Sequence, residues 1–221
     1  APQSRSDGRL IFGIADDPDA QAQIPAEFVP DRDGNMAIYG TGGTGKSGLL
    51  RTLAIVAGLG LRGGPCHVYG LDFGARGLHM LDPLPHVGSI VNGDDHERIQ
   101  RLLRMLRTTI DERAARYAAV TAGTITEYRR AASAPDEPRI LLLVDGLAAF
   151  RQAYETGPDV RLFEMFQSIA ADGRQVGVHV VVTADRSTAV PTALASVIQK
   201  RVVLRLASEN EYLSLDVPHD A

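Results

Sequence analysis

Cysteine is almost absent from this sequence, since Cys66 is the only one in 221 residues. A single cysteine excludes an internal disulfide and a zinc site built from a cysteine cluster. No apolar run approaches the length of a transmembrane helix, which needs about eighteen residues. The N-terminus also lacks the positively charged segment followed by an apolar segment that marks a signal peptide. We therefore predict a cytosolic protein in which Cys66, at the start of the run CHVYGLDF, is an inert core thiol.

A basic excess is also missing. The chain has 23 Lys and Arg against 27 Asp and Glu, for a net charge of −4. Proteins that bind nucleic acid usually carry a basic footprint, so the overall charge argues against DNA as a partner, although a local basic patch is compatible with it. Internal repeats, low-complexity tracts and long linkers are absent as well. The chain neither begins with Met nor ends in a clear signal, so we expect residues 1–221 to be a single domain taken from a longer chain.

Apolar runs alternate with amphipathic patterns along the chain. Strands are predicted at Leu10–Ala15, Met36–Tyr39, Cys66–Asp72, Ile140–Asp145, Val178–Thr183 and Val202–Leu206. Helices are predicted at Lys46–Leu59, Asp94–Val120 and Val160–Gln175. The stretches Asp16–Pro30 and Leu78–Val91 are predicted to be irregular, because prolines at 83 and 85 forbid a long helix in the second. This alternation predicts a doubly wound α/β domain of the P-loop type, with a mostly parallel sheet and helices on both faces.

The longest helical pattern places its apolar residues on one side and most of its arginines on the other. Arg113 is the exception, because it falls inside the apolar arc. Two roles stay open for it. Its stem can lie along the core with the charged head near the helix end, or it can join an ionic network near the functional site.

Residues 40–47 read GTGGTGKS and fit the pattern G-x-x-x-x-G-K-[ST] in full. The glycines let the backbone wrap round phosphate oxygens, and N–H groups converge there at a helix N-terminus. Lys46 would reach the β- and γ-phosphates, and the Ser47 hydroxyl would bind Mg²⁺. A predicted strand precedes the motif and a predicted helix follows it, as the motif requires. We predict that ATP and Mg²⁺ are bound by Gly40, Thr41, Gly42, Gly43, Thr44, Gly45, Lys46, Ser47, Gly48 and Asp145.

An acidic residue at the end of a second strand completes such a site by holding Mg²⁺ through water. Asp145, after the run ILLLV, is our candidate, and Asp72, after VYGL, is the alternative. Hydrolytic motors usually carry an acid at the next position, where this chain has Gly146. Proton handling by one positioned group is worth about 10²–10⁴ in rate. We therefore predict ATP binding with poor hydrolysis, and a partial gain of turnover from Gly146→Glu.

Other polar side chains lie near the ends of the last two predicted strands. Thr183 is either a sensor of the γ-phosphate or a strand-end hydroxyl that bonds to a turn. His179, inside its strand, is predicted to be a satisfied core residue rather than a catalyst. Three arginines are either solvated or able to reach the nucleotide of a neighbouring domain: Arg174, Arg186 and Arg201.

Several segments resemble one family of ATPases. The glycine loop, LDFGARGL at 71–78, LPHVG at 84–88 and DGRQVGVHVVVTADR at 172–186 resemble FtsK/SpoIIIE-type ATPases, and within them the type VII secretion ATPases called EccC or EssC. GIADDPDAQAQ at 13–23 and KRVVLRLASENEYLSLDVP at 200–218 are similar to the segments that bracket each ATPase domain of that family. The resemblance spans nearly the whole chain.

This resemblance implies a RecA-like fold and a place among several tandem ATPase domains, with VDG at 144–146 resembling the second or third. It implies a domain that holds ATP as structural glue and offers an apolar pocket to the C-terminal signal of small helical substrates of the WXG type. The partners implied are neighbouring ATPase domains of the same chain, at the inner face of the cell membrane, with membrane contact only through other parts of that chain. The alternative is an active DNA-translocating motor of the FtsK type, against which Gly146 and the net charge both argue.

Overall fold

The computed structural model describes residues 6–17, 21–60 and 64–215. Its strands are β1 (Leu10–Asp17), β2 (Ala22–Phe28), β3 (Asn35–Tyr39), β4 (Cys66–Asp72), β5 (Val87–Asn92), β6 (Arg139–Asp145), β7 (Val178–Ala184) and β8 (Ile198–Val203). Its α-helices are α1 (Pro30–Asp33), α2 (Lys46–Gly58), α3 (His96–Ala119), α4 (Ile125–Ala131), α5 (Leu147–Tyr154), α6 (Val160–Asp172), α7 (Thr192–Ala195) and α8 (Glu209–Leu213). Short 3₁₀ turns occur at His79–Leu81, Arg174–Val176 and Ser187–Ala189.

Six strands form one sheet in the order β5-β4-β6-β7-β3-β8, and every pairing between them is parallel. Strands β1 and β2 form a separate antiparallel hairpin. In the sheet, Asp72 at the end of β4 is in register with Asp145 at the end of β6. Because parallel strands point the same way, their carboxyl ends share one edge, which we call the carboxyl edge, and their amino ends share the opposite amino edge. The predicted parallel α/β sheet is confirmed.

Both faces of this sheet are buried. On β6, Leu141 and Leu143 pack into the core under α2 and the hairpin, whereas Leu142 and Val144 pack into the larger core under α3, α5 and α6. Burial on both sides explains why this strand reads as a continuous apolar run rather than as an alternation. The prediction of helices on both faces is confirmed.

Two stretches predicted to be irregular contain strands. The first holds β2, which pairs with β1 but is exposed along most of its length, so its polar sequence hides it. The second holds β5, at the edge of the sheet beside β4. Its prolines at 83 and 85 lie upstream of the strand and do not interrupt it.

The predicted ends of other elements also need correction. Strand β8 begins at Ile198 and ends at Val203, whereas we predicted Val202–Leu206, because its exposed residues 199 and 201 conceal an edge strand. Helix α6 ends at Asp172 and a 3₁₀ turn follows it. Residues 18–20 and 216–218, which belong to the two bracketing segments quoted above, lie outside the described residues.

The amino edge contains a buried ionic network. Arg139, at the start of β6, is fully buried and donates from Nε to Asp7 Oδ2 at 3.0 Å and from Nη1 to Asp31 Oδ1 at 2.6 Å. Arg129 of α4 donates to the same Asp7 oxygen at 2.7 Å. Since opposite charges compensate each other here, the network ties the segment before β1, α1 and α4 to the sheet.

His179 lies beside this network and is fully buried. Its Nε2 accepts from Arg139 Nη1 at 2.8 Å, so its Nδ1 is the nitrogen that donates to Gly34 O, at 2.7 Å. Burial, together with the Arg139 cation, lowers the pKa of His179 to about 3. The prediction of a satisfied core histidine is confirmed.

Arg113 and Cys66 are also buried. The Arg113 guanidinium donates to Val176 O at 3.0 Å and to Pro138 O at 2.7 Å, and its Nε lies 2.9 Å from Glu137 Oε1. Arg113 therefore does join an ionic network, but at the amino edge and away from the glycine loop. Burial raises the pKa of the Cys66 thiol to about 12, which confirms the prediction of an inert thiol.

Candidate nucleotide-binding site

The glycine loop connects β3 to α2 at the carboxyl edge. Gly40 N donates to Ala184 O, at the end of β7, at 3.1 Å. Thr41 N donates to Arg205 O at 2.9 Å, and the Thr41 hydroxyl donates to the same oxygen at 3.1 Å. The loop is thus held on one side by β7 and on the other by the chain that follows β8. The anchoring carbonyl at position 205 was missed from the sequence, because backbone acceptors leave no residue pattern.

Left-handed backbone shapes the middle of the loop. Gly43 has φ of 76° and Gly45 has φ of 102°, conformations that residues with a side chain rarely adopt. A Cβ at either residue would have no other atom within 4 Å. The glycines are therefore needed for the turn itself, and the turn leaves open space beside the exposed backbone.

Lys46 folds back over this loop. Its Nζ donates to Gly40 O at 2.6 Å and to Thr41 O at 2.9 Å. The side chain is half-buried, so the ammonium lies at the mouth of the loop and its partners are neutral carbonyl oxygens. Anionic phosphate oxygens would be stronger acceptors for it, because hydrogen bonds between charged groups are shorter and stronger.

Ser47 and Asp145 meet across 98 residues of sequence. The Ser47 hydroxyl donates to Asp145 Oδ2 at 2.6 Å, and the Thr183 hydroxyl donates to Asp145 Oδ1 at 2.7 Å. Thr183 Oγ1 in turn accepts from Gly146 N at 2.8 Å. Both oxygens of the Asp145 carboxylate are therefore oriented, one of them toward the start of α2.

Asp72 ends the neighbouring strand but makes different contacts. Its two carboxylate oxygens accept from Gly74 N at 3.0 Å and from Leu78 N at 2.9 Å. Of the two candidate acids, Asp145 is the one that contacts Ser47. This geometry favours Asp145 for the metal, although that role remains a prediction.

The residues present fit a nucleotide with Mg²⁺. They supply an ammonium group, open glycine backbone and a hydroxyl beside a carboxylate. Mg²⁺ in nucleotide sites is usually held by one or two protein oxygens together with substrate phosphates. Among the described residues no group of three His, Cys, Asp or Glu side chains could hold a metal by itself. The arrangement therefore suits a metal that binds together with a phosphate chain.

Gly146 stands at the N-terminus of α5 with φ of 86° and ψ of 57°. A Cβ there would lie 3.3 Å from both the C and O atoms of Phe73. Glycine is needed at this position for backbone reasons, since a side chain would meet both a disfavoured conformation and a neighbouring backbone. The strain expected in Gly146→Glu therefore argues against the gain of turnover predicted from the sequence, which stays a prediction.

The remaining candidates are spread over the surface and the strand ends. The Thr183 hydroxyl is engaged with Asp145 and Gly146, as in the strand-end alternative, and a role as sensor stays untested. Arg174 is exposed at the amino edge, Arg186 is exposed just after β7, and Arg201 is exposed on the edge strand β8. Gly48 lies in the first turn of α2.

The glycine loop lies between a strand and a helix, and its serine contacts an aspartate from another strand of the parallel sheet. This arrangement defines a P-loop nucleotide-binding domain. The FtsK/SpoIIIE family matches residues 3–217, and the chain belongs to that family. The ESX-4 secretion system protein EccC4 of Mycobacterium tuberculosis is 34% identical over 211 residues. The match covers 94% of this chain but only 17% of that relative, so the chain spans about a sixth of its length.

Two solved structures share the fold. EssC (ATPases 2 and 3) from Geobacillus thermodenitrificans matches with a TM-score of 0.83 at 25% identity, over 94% of this chain and 39% of that one. Thermomonospora curvata EccC (ATPases 2 and 3), in complex with a signal sequence peptide, matches with a TM-score of 0.82 at 27% identity, over 99% of this chain and 40% of that one. The expected RecA-like P-loop ATPase fold is confirmed. Family membership also implies that the chain binds a nucleotide, typically with Mg²⁺.

Proposed function

We propose that this chain is an ATP-binding domain of a type VII protein secretion motor that hydrolyses ATP poorly. The observation that supports the proposal best is the complete glycine loop with Lys46 at its mouth and Ser47 bonded to Asp145. Lys46 would neutralise phosphate charge, and Ser47 and Asp145 would hold Mg²⁺, the latter through water. When bound, Mg-ATP supplies an electrophilic phosphoryl group. Thr183 would keep the Asp145 carboxylate oriented.

Poor hydrolysis follows from the residue after Asp145. Gly146 has no side chain to take the proton of an attacking water. Its left-handed backbone would also be strained by the side chain of an acidic residue at this position. The loss of one positioned proton acceptor lowers a rate by about 10²–10⁴-fold. A bound ATP would then persist and act structurally.

Calorimetry with Mg-ATP tests the binding site. Lys46→Ala should weaken binding by about 10–100-fold, because hydrogen bonds to a charged group are worth about 1.5–3 kcal/mol. Lys200→Ala, which removes the only other lysine of the chain from the edge strand β8, is the matched control and should bind like the wild type. Equal affinities of wild type and Lys46→Ala would overturn the proposal. Single-turnover rates of order 1 s⁻¹ that Lys46→Ala abolishes would contradict poor hydrolysis.

The partners proposed are neighbouring ATPase domains of a longer chain and small helical substrates of the WXG type that dock through a C-terminal signal. Support comes from the solved Thermomonospora curvata EccC (ATPases 2 and 3), which is in complex with a signal sequence peptide. We place the domain at the inner face of the membrane as part of a secretion complex. Within the described part of the chain, no helix has both the length and the apolar character needed to cross a bilayer.

Titrating an isotope-labelled sample with C-terminal substrate peptides tests the docking role. A compact set of shifted resonances is expected, and no shift at about millimolar peptide, where binding would be worth only about −4 kcal/mol, would remove this domain as a receptor. Binding of duplex DNA at low salt with a steep salt dependence would instead favour the DNA-translocating alternative.

A further inference from the structure

The loop that follows β4, residues 73–78, lies against the Ser47–Asp145 pair. Phe73 N donates to Asp145 O at 2.9 Å. A Cβ on Gly74 would lie 3.2 Å from Asp145 Oδ2, and a Cβ on Gly77 would lie 3.8 Å from Ser47 Cβ. The 73–78 loop therefore forms a wall beside the two oxygens that we assign to the metal.

Asp72 holds this loop at both ends. Asp72 is 3% exposed, and its two carboxylate oxygens accept the hydrogen bonds from Gly74 N and Leu78 N. A carboxylate that accepts two backbone N–H groups fixes the residues between them more firmly than one neutral bond does. Asp72 thus determines where the 73–78 loop lies relative to Asp145, although its two hydrogen bonds go to this loop and not to Ser47 or the glycine loop.

Phe73 provides a second anchor for the loop. Its ring stacks on Phe150 of α5 with a centroid distance of 4.8 Å and an interplanar angle of 21°. Asp72 and the loop border an open cavity of about 320 Å³ whose other lining residues are Asn92, Gly93 and Asp94. The loop therefore has free space beside it into which it can shift if one anchor is lost.

We propose that Asp72 is a positioning residue for the metal half of the nucleotide site, because it holds the 73–78 loop against Asp145 and Ser47. This inference rests on the proposed function. The phosphate half is anchored independently, since the glycine loop is held by Ala184 and Arg205 carbonyls. Loss of the Asp72 carboxylate should then lower the affinity of the nucleotide complex for Mg²⁺ while leaving the affinity for metal-free nucleotide unchanged.

The test compares nucleotide binding in excess chelator with Mg²⁺ titration of the nucleotide complex. Mutation of residues that orient metal ligands typically changes metal affinity by about 10–100-fold. Asp72→Asn should therefore lower the affinity for Mg²⁺ by about tenfold. Phe73→Leu loosens the loop from its other side and should give the same split. Asp136→Asn changes an exposed carboxylate between α4 and β6, outside the 73–78 loop and its partners, and should behave like the wild type.

Three outcomes decide the inference. A loss of Mg²⁺ affinity alone supports it, whereas equal losses with and without Mg²⁺, or no loss, overturn it. If the wild type binds no nucleotide under either condition, the proposed function fails. The positioning role of Asp72 is then tested by NMR on the ligand-free protein. The amides of Gly74 and Leu78 should then exchange faster in Asp72→Asn, and the Ser47 amide resonance should shift. An unchanged Ser47 resonance would overturn the positioning role.

Discussion

The two edges of the parallel sheet use charged residues in opposite ways. At the amino edge, Arg139 is fully buried between Asp7 and Asp31, so the charges compensate one another. At the carboxyl edge, Lys46 contacts carbonyl oxygens and Asp145 contacts hydroxyls, and neither forms an ion pair with another described residue. The amino edge therefore uses compensated charges to hold distant segments together. At the carboxyl edge Lys46 and Asp145 have no opposite charge as a partner among the described residues, as a site for a charged ligand requires.

The largest effect should come from breaking the amino edge. Arg139→Met removes the cation that the buried Asp7 and the half-buried Asp31 share, and Asp7 keeps only its ion pair with Arg129. Removing one partner of a buried ion pair typically costs about 3–5 kcal/mol, so the free energy of unfolding in urea should fall by that amount. Arg104→Met, on the exposed face of α3, is the control and should change little. A loss below about 1 kcal/mol for Arg139→Met would mean that the network contributes no more than a surface pair.

A smaller effect is expected from adding charge to the carboxyl edge. Gly146→Glu forces a side chain into a left-handed conformation beside the Phe73 backbone, which should lower stability by about 1–3 kcal/mol. Gly157→Glu is a matched control, because Gly157 has a similar φ of 92° but no atom within 4 Å of a Cβ. It should lose less stability. Turnover of Gly146→Glu should not rise, and an increase at unchanged stability would show that the site accepts an acid.

The smallest effect is a pH dependence confined to the amino edge. Burial and the Arg139 cation lower the pKa of His179 to about 3, so the folded protein favours neutral His179 more than the unfolded chain does. This contribution is present above the unfolded pKa of about 6.5 and is lost, at up to about 1.4 kcal/mol per pH unit, as the pH falls toward 3. Between pH 7 and 5.5 the wild type should lose about 1 kcal/mol more than His179→Gln. An equal loss of stability in the wild type and in His179→Gln between the two pH values would contradict a neutral buried histidine.

The parts of the site that are continuous in sequence could be predicted from it. The loop at 40–47 directly follows a buried strand, and Asp145 directly ends one. Local backbone preference and apolar burial therefore suffice to identify both. The edge strands were missed or misplaced, because an exposed strand such as β2 lacks the buried pattern that marks a central one. The buried network at Arg139 was also missed, since its acids come from distant segments.

By itself, the sequence determined the fold class and the glycine loop, because both depend on short-range patterns of apolar residues and glycine. The tertiary structure decided which of two similar aspartates faces the site. Asp72 and Asp145 end adjacent strands in the same register, yet one binds the amides of its own loop and the other binds Ser47. It also showed that Gly146 is held in a left-handed conformation. These features depend on contacts between residues far apart in the chain, and no local pattern records where such a side chain finds its partner.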